Sequence, residues 1–160
     1  MENGQRKSVD VALWRGSGPE PGYAWTVIYL SSVWYEYQKN FPEAGQQEYI
    51  RMQVRDLARH PDPTHSLTLS IDRVGSFWEL RDKGGPLGTK TNMRMYFDFI
   101  TVPHPCIRVL GFDDKKNDGQ IYGVVKDRID RRQQKWDEGV YPIPEFPKRR
   151  QTRLTEGGGP

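Results

Sequence analysis

The chain has 160 residues, a net charge of +3 and a pI near 9.0, so one domain is expected and a slight attraction to polyanions is permitted. Its one cysteine, Cys106, excludes an internal disulfide and cysteine-rich zinc schemes, and points to a reducing compartment. No apolar run approaches the roughly 18 residues that cross a bilayer, and the opening MENGQRKSVD lacks the apolar stretch of a secretion signal, so a cytoplasmic protein without membrane contact is expected.

Residues 1–22 are rich in Gly and Pro around a short apolar patch, Val11 to Trp14, and read as an N-terminal extension with at most one docked turn. The run WTVIYL from Trp25 to Leu30 is β-branched and aromatic, as a strand requires; Ser31 or Ser32 can cap a helix after it. That helix carries Val33, Trp34, Tyr37 and Phe41 on one face and ends at Pro42. A second helix, Glu43 to Arg59, places Ile50, Val54, Leu57 and Ala58 at helical spacing, and His60-Pro61-Asp62-Pro63 stops it.

Beyond it the period changes to 2. Over residues 74–82, Trp78 and Leu80 alternate with Phe77, Glu79 and Arg81, and a loop follows at Gly84-Gly85-Pro86-Leu87-Gly88. In MRMYFDFI, Met93, Met95, Phe97 and Phe99 share one side while Arg94, Tyr96 and Asp98 share the other. Val102 to Pro105 forms a hairpin connection to a strand from Cys106 to Phe112, and Asp118 is a good N-cap for a last helix from about Gly119 to Trp136, with Ile121, Val125 and Ile129 on its buried stripe. Residues 139–160, with four prolines and the basic KRRQTR, read as a flexible tail.

The expected class is therefore α+β, in the order β-α-α-β-β-β-α over residues 23–138. Within it, Phe77-Trp78-Glu79-Leu80-Arg81, then Met93-Arg94-Met95-Tyr96-Phe97, then Leu110-Gly111-Phe112 with Lys115-Lys116 resemble the RelE/ParE superfamily of toxin-antitoxin toxins, in its RelE-like and HigB-like branches. The resemblance implies a small, curved, antiparallel-rich sheet with helices packed on one face, the other face being a basic groove where messenger RNA is cut on the ribosome without a metal or other cofactor. It implies an antitoxin protein covering that groove.

Carried over by position, Arg94 matches the arginine that stabilises phosphate at the transition state, and guanidinium has the forked donors this needs. Glu79 is the candidate general base; the ribosome-dependent RelE itself has lysines where Phe77 and Glu79 stand. Lys116 and Tyr122 complete the candidate catalytic set, Tyr122 as a ring that stacks on a base. Arg81, Arg108 and Lys115 are candidate RNA contacts.

Each has a plainer reading. Arg94 suits an ion pair with Asp98 or Glu79, Tyr122 suits the core, and a lysine pair in a loop is usually solvated. No histidine follows His104, where some ribosome-dependent relatives carry one, and Asp113 and Asp114 dilute the basic loop. A rival class is therefore a non-catalytic binder on the same fold, such as a ParE-like inhibitor of DNA gyrase or an inactive relative; a third is RNA binding through the tail. Trp14 and Trp136 are candidates for an antitoxin contact or for simple core.

Overall fold

In a computed structural model, which describes residues 11–115 and 120–144, six strands form one mixed sheet with three α-helices around it. The strands are β1 (Val11–Leu13), β2 (Thr26–Leu30), β3 (Ser70–Val74), β4 (Phe77–Lys83), β5 (Asn92–Ile100) and β6 (Cys106–Asp114). The helices are α1 (Ser31–Asn40), α2 (Ala44–Arg59) and α3 (Gly123–Asp137). The sheet order is β1-β2-β6-β5-β4-β3, with β2 and β6 parallel and every other pair antiparallel. The expected meander of three adjacent strands is β4-β5-β6. None of the helices described is long and apolar enough to cross a membrane.

Two strands were not expected. Val11–Leu13 pairs with β2 at one edge, so this stretch belongs to the sheet rather than to a loose extension, and Trp14 behind it is core at 3% exposure. Ser70–Val74 pairs with β4 through a turn at Gly75, whose φ of 58° is left-handed backbone that glycine adopts without strain. The helices begin differently from the expectation too. Leu30, not a serine, stands at the N-cap of α1, and Tyr122 at that of α3; Asp118 lies outside the described residues. Glu43 caps α2 through a reciprocal box with Gln46, its carboxylate accepting from the Gln46 N–H while its own N–H donates to Gln46 Oε1 at 3.1 Å.

The two faces of the sheet are covered by different helices. Met93, Met95 and Phe97 of β5 share a face with Leu80, Asp82, Val109 and Phe112, their cross-strand partners. On this face α1 places Tyr37 against Phe112, ring centroids 5.1 Å apart, and Gln53 of α2 donates to Asp82. The other face carries Glu79, Arg81, Arg94, Tyr96, Asp98, Arg108 and Gly111. There α3 crosses, with Gln133 donating to Asp98 at 2.8 Å and Asp137 accepting from Arg108 at 2.9 Å. Helices packed on one face alone is thus corrected: α1 and α2 take one face and α3 the opposite one, because the apolar stripe Val125, Ile129 and Trp136 must also be buried.

Gly111 allows that crossing. A Cβ there would collide with Ile129 Cδ1 and lie 3.2 Å from both Arg132 Nη1 and Glu36 Oε1. Gly111→Ala is expected to cost about 1–3 kcal/mol, by overpacking the contact between α3 and β6; a urea midpoint equal to that of the parent would show that α3 sits farther from the sheet. Opposite this contact, β5 and β6 shift register between Tyr96 and Phe97, so Leu110 is the extra residue of a bulge. Past Val109, β6 also outruns β2, and side chains close its edge: Glu36 Oε1 accepts from the Phe112 N–H at 3.1 Å, and Arg132 Nη1 donates to the Leu110 carbonyl at 2.9 Å.

Candidate functional site

The α3 face has two halves. Around Asp98, Arg108 and Gly111 it is sealed by the helix. Toward Arg81 and Asn92 it is hollowed into two adjoining concavities that share Arg81. One, about 430 Å³, is lined by Ser70, Arg81, Asp82, Lys83, Asn92 and Arg94. The other, about 690 Å³, is lined by β3 and β4 residues, Glu79 among them, and by Gln120, Ile121 and Lys126 at the approach to α3. Arg81, Lys83, Arg94 and Lys126 line these hollows against Asp72 and Glu79 on the same face, a positive lining among the described residues. Arg73 and Asp82 also border them, but Arg73 lies over the Trp78 ring and Asp82 is bonded to Tyr49 and Gln53 on the other face.

Glu79 and Arg94 meet where the hollows adjoin. Arg94 lies cross-strand from Arg81 and Glu79 from Tyr96, so the pair is a diagonal one across β4 and β5. Arg94 Nη1 donates to both Glu79 oxygens, at 3.0 and 3.2 Å, while Arg94 Nε has no partner. The resemblance implies an Arg94 that opens onto a basic groove. It does point away from α1 and α2, but it is only 2% exposed and Glu79 6%, so the guanidinium is a buried, ion-paired group and not a bare one. Burial of this sort demands a partner, because an unpaired charge beneath the surface is costly.

The other expected contacts divide between the two halves. Arg81 is part-exposed, 2.8 Å from Asp72 across the β3–β4 pair, and lines both hollows. Arg108 does not: it is sealed under α3, held by both Asp98 oxygens at 2.7 and 2.6 Å and by Asp137, with its guanidinium 5.7 Å from the Trp136 ring centroid. Burial alone would lower its pKa, but the hydrogen bonds and charges of Asp98 and Asp137 outweigh burial and raise it. It is therefore a structural cation and no groove contact. Lys115 is also inside, 1% exposed, with its ammonium 4.5 Å from the centroid of the Tyr122 ring. Tyr122 itself is 42% exposed, outside the core. Lys116 lies outside the described residues.

Two groups beside the pair escaped the sequence reading. The Tyr96 hydroxyl is buried and without a hydrogen-bond partner; burial first, then the charges of Asp113 and Glu79, push its pKa well above the ordinary value, so the phenol keeps its proton. Asp113, cross-strand from Arg94, has one unpartnered oxygen. Burial raises its pKa against the opposing pull of Arg128. With the folded value above the ordinary one, this carboxyl's contribution to stability declines as pH rises from the ordinary carboxylate range through the raised value. The signal for Tyr96 was present, since it shares the alternation of Arg94 and Asp98; only the direction of α3 shows that its hydroxyl is enclosed.

Against protein-family models, curated proteins and solved structures, the chain matches nothing. The chemistry of the site must therefore be judged on its own groups. A carboxylate able to take a proton, a guanidinium able to hold phosphate oxygens and a protonated phenol stand together under a positive hollow. Among the described residues, no three His, Cys, Asp or Glu side chains gather as a metal site.

Proposed function

We propose that this protein is the toxin of a type II toxin-antitoxin pair and cuts messenger RNA on the ribosome by a metal-independent route, with Glu79 and Arg94 as its working pair. The observation that supports this best is the joining of those two side chains at the edge of a positively lined stretch of the face that α3 leaves open. Strand cleavage from within RNA requires a base to remove the ribose 2′-hydroxyl proton as that oxygen attacks the adjacent phosphorus, closing a 2′,3′-cyclic phosphate while the P–O5′ bond breaks and the leaving 5′-oxygen takes a proton from water. It also requires a cation for the charge that builds on the phosphate oxygens. Glu79 suits the first task and Arg94 the second, while Arg81 and Lys126 lie where the neighbouring phosphates of a strand would pass. Tyr122, exposed and beside the hollow, suits base stacking.

In this reading an RNA strand must compete with the ion pair, drawing Arg94 from Glu79 toward phosphate and freeing the carboxylate. Primer extension on translated messages tests it: the parent is expected to leave position-specific stops, and Glu79→Gln to weaken them by about 100-fold or more. Equal patterns from both proteins, or none from either, would overturn it.

The burial of the pair favours a second reading, a binding protein on the same framework with no catalytic residues, such as a gyrase inhibitor. Inhibition of supercoiling with translation untouched would select that reading. In both, the antitoxin is the partner expected to cover the hollow.

A further inference from the structure

A separate cleft opens on the opposite side of the sheet, between β1, β2 and α1. It has a volume of about 520 Å³ and is lined by Leu13, Trp14, Arg15, Tyr29, Trp34 and Arg51; small-molecule sites commonly span about 300–1,000 Å³. Its walls are aromatic. The Tyr29 and Trp34 rings stack with centroids 5.4 Å apart at an interplanar angle of 25°, and Trp14 meets them edge-on at 5.5 and 5.6 Å. Among the described residues the charged lining is basic, Arg15 and Arg51. Arg51 pairs with Glu48 outside it at 3.0 Å, and Arg15 has no ion-pair partner among the described residues.

Trp14, 3% exposed, is a wall of this cleft. Flat aromatic faces and two guanidinium groups together suit a planar ring that carries an anion.

We infer that this cleft binds a nucleoside phosphate, its base against the Trp34 and Tyr29 rings and its phosphate between Arg15 and Arg51. The ligand is either a free nucleotide or one unit of an RNA strand, since the two present the same base and phosphate. The site lies on the α1 face and shares no residue with the Glu79–Arg94 hollow, so neither assignment depends on the other.

The test is titration of the full chain with AMP, followed by tryptophan fluorescence and equilibrium dialysis, with adenosine, inorganic phosphate and pentaadenylate in parallel. AMP is expected to bind, with adenosine and phosphate each weaker by roughly tenfold or more, because each offers half of the recognised groups. Arg15→Ala, at an exposed position, and Arg51→Ala are each expected to weaken AMP by roughly 5- to 100-fold with circular dichroism unchanged. Pentaadenylate binding that AMP displaces and Arg15→Ala weakens assigns the site to a strand; AMP binding without it assigns a free nucleotide. Absence of binding by both, or AMP affinity indifferent to both arginine exchanges, overturns the inference.

Discussion

Asp98→Ala is expected to lower the unfolding free energy by about 3–5 kcal/mol, the range found when a buried ion pair loses one partner. Asp98 accepts from Arg108 Nε at 2.7 Å, from Arg108 Nη2 at 2.6 Å and from Gln133 Nε2 at 2.8 Å. Without it the Arg108 guanidinium stays beneath α3 with only Asp137, whose side chain is 62% exposed and screened by water. Gln133 loses one of its anchors at the same time, although Ser76 still holds it. The loss therefore falls on the docking of α3 as well as on the strand pair.

The control is to remove both charges together. Asp98→Leu with Arg108→Met keeps the volume apolar and avoids a stranded charge, so most of the lost stability should return. Urea unfolding at constant slope measures both proteins. A single-site loss under about 1 kcal/mol would show that water reaches Arg108, and that the helix does not seal this half of the face.

The second large effect concerns Arg94. Arg94→Ala is expected to destabilise by a similar amount, about 3–5 kcal/mol, because Glu79 is left charged and enclosed. Under the proposed function it should also remove RNA cleavage. Those two losses must be separated, since an unfolded protein cuts nothing. Arg94→Met together with Glu79→Leu is expected to fold with near-parent stability while giving no cleavage, which a purely structural pair cannot explain away. If that double variant folds and still yields the parent's primer-extension stops, the pair is a piece of architecture and the chemistry lies elsewhere.

The two pairs differ in what surrounds them. Arg108 is locked by two carboxylates under a helix, whereas Arg94 is held by one and lines a hollow. A cation used in catalysis must be able to change partners, and the hollow beside Arg94 gives it room to do so. This difference, more than burial, separates the candidate site from the support beneath α3.

Burial bears on the thiol as well. Cys106 lies inside β6, and burial pushes its pKa up to about 11, against a smaller opposing pull from Arg108. The thiolate is therefore scarce at neutral pH, which is the condition of an inert structural cysteine.

Local pattern alone determined a good deal of this protein. The alternation in Asn92–Ile100 assigns Arg94, Tyr96 and Asp98 to one face and the methionines to the other, since a pleated strand allows nothing else. Ile50, Val54, Leu57 and Ala58 at helical spacing define the buried stripe of α2, and the prolines beyond mark its end. The two edge strands left weaker traces: Val11–Leu13 is three residues long, and Ser70–Val74 is largely exposed, so neither carries a buried alternation.

What tertiary structure decided is which charges are free. Arg94 finds Glu79 15 residues away, Arg108 finds Asp98 at 10 and Asp137 at 29, and Glu36 finds Arg132 at 96. Periodicity reports the side of an element on which a group stands, not what another element will lay over it. The path of α3 across the face, admitted by the missing side chain at Gly111, turns Arg108 into a support and leaves Arg94 beside open space.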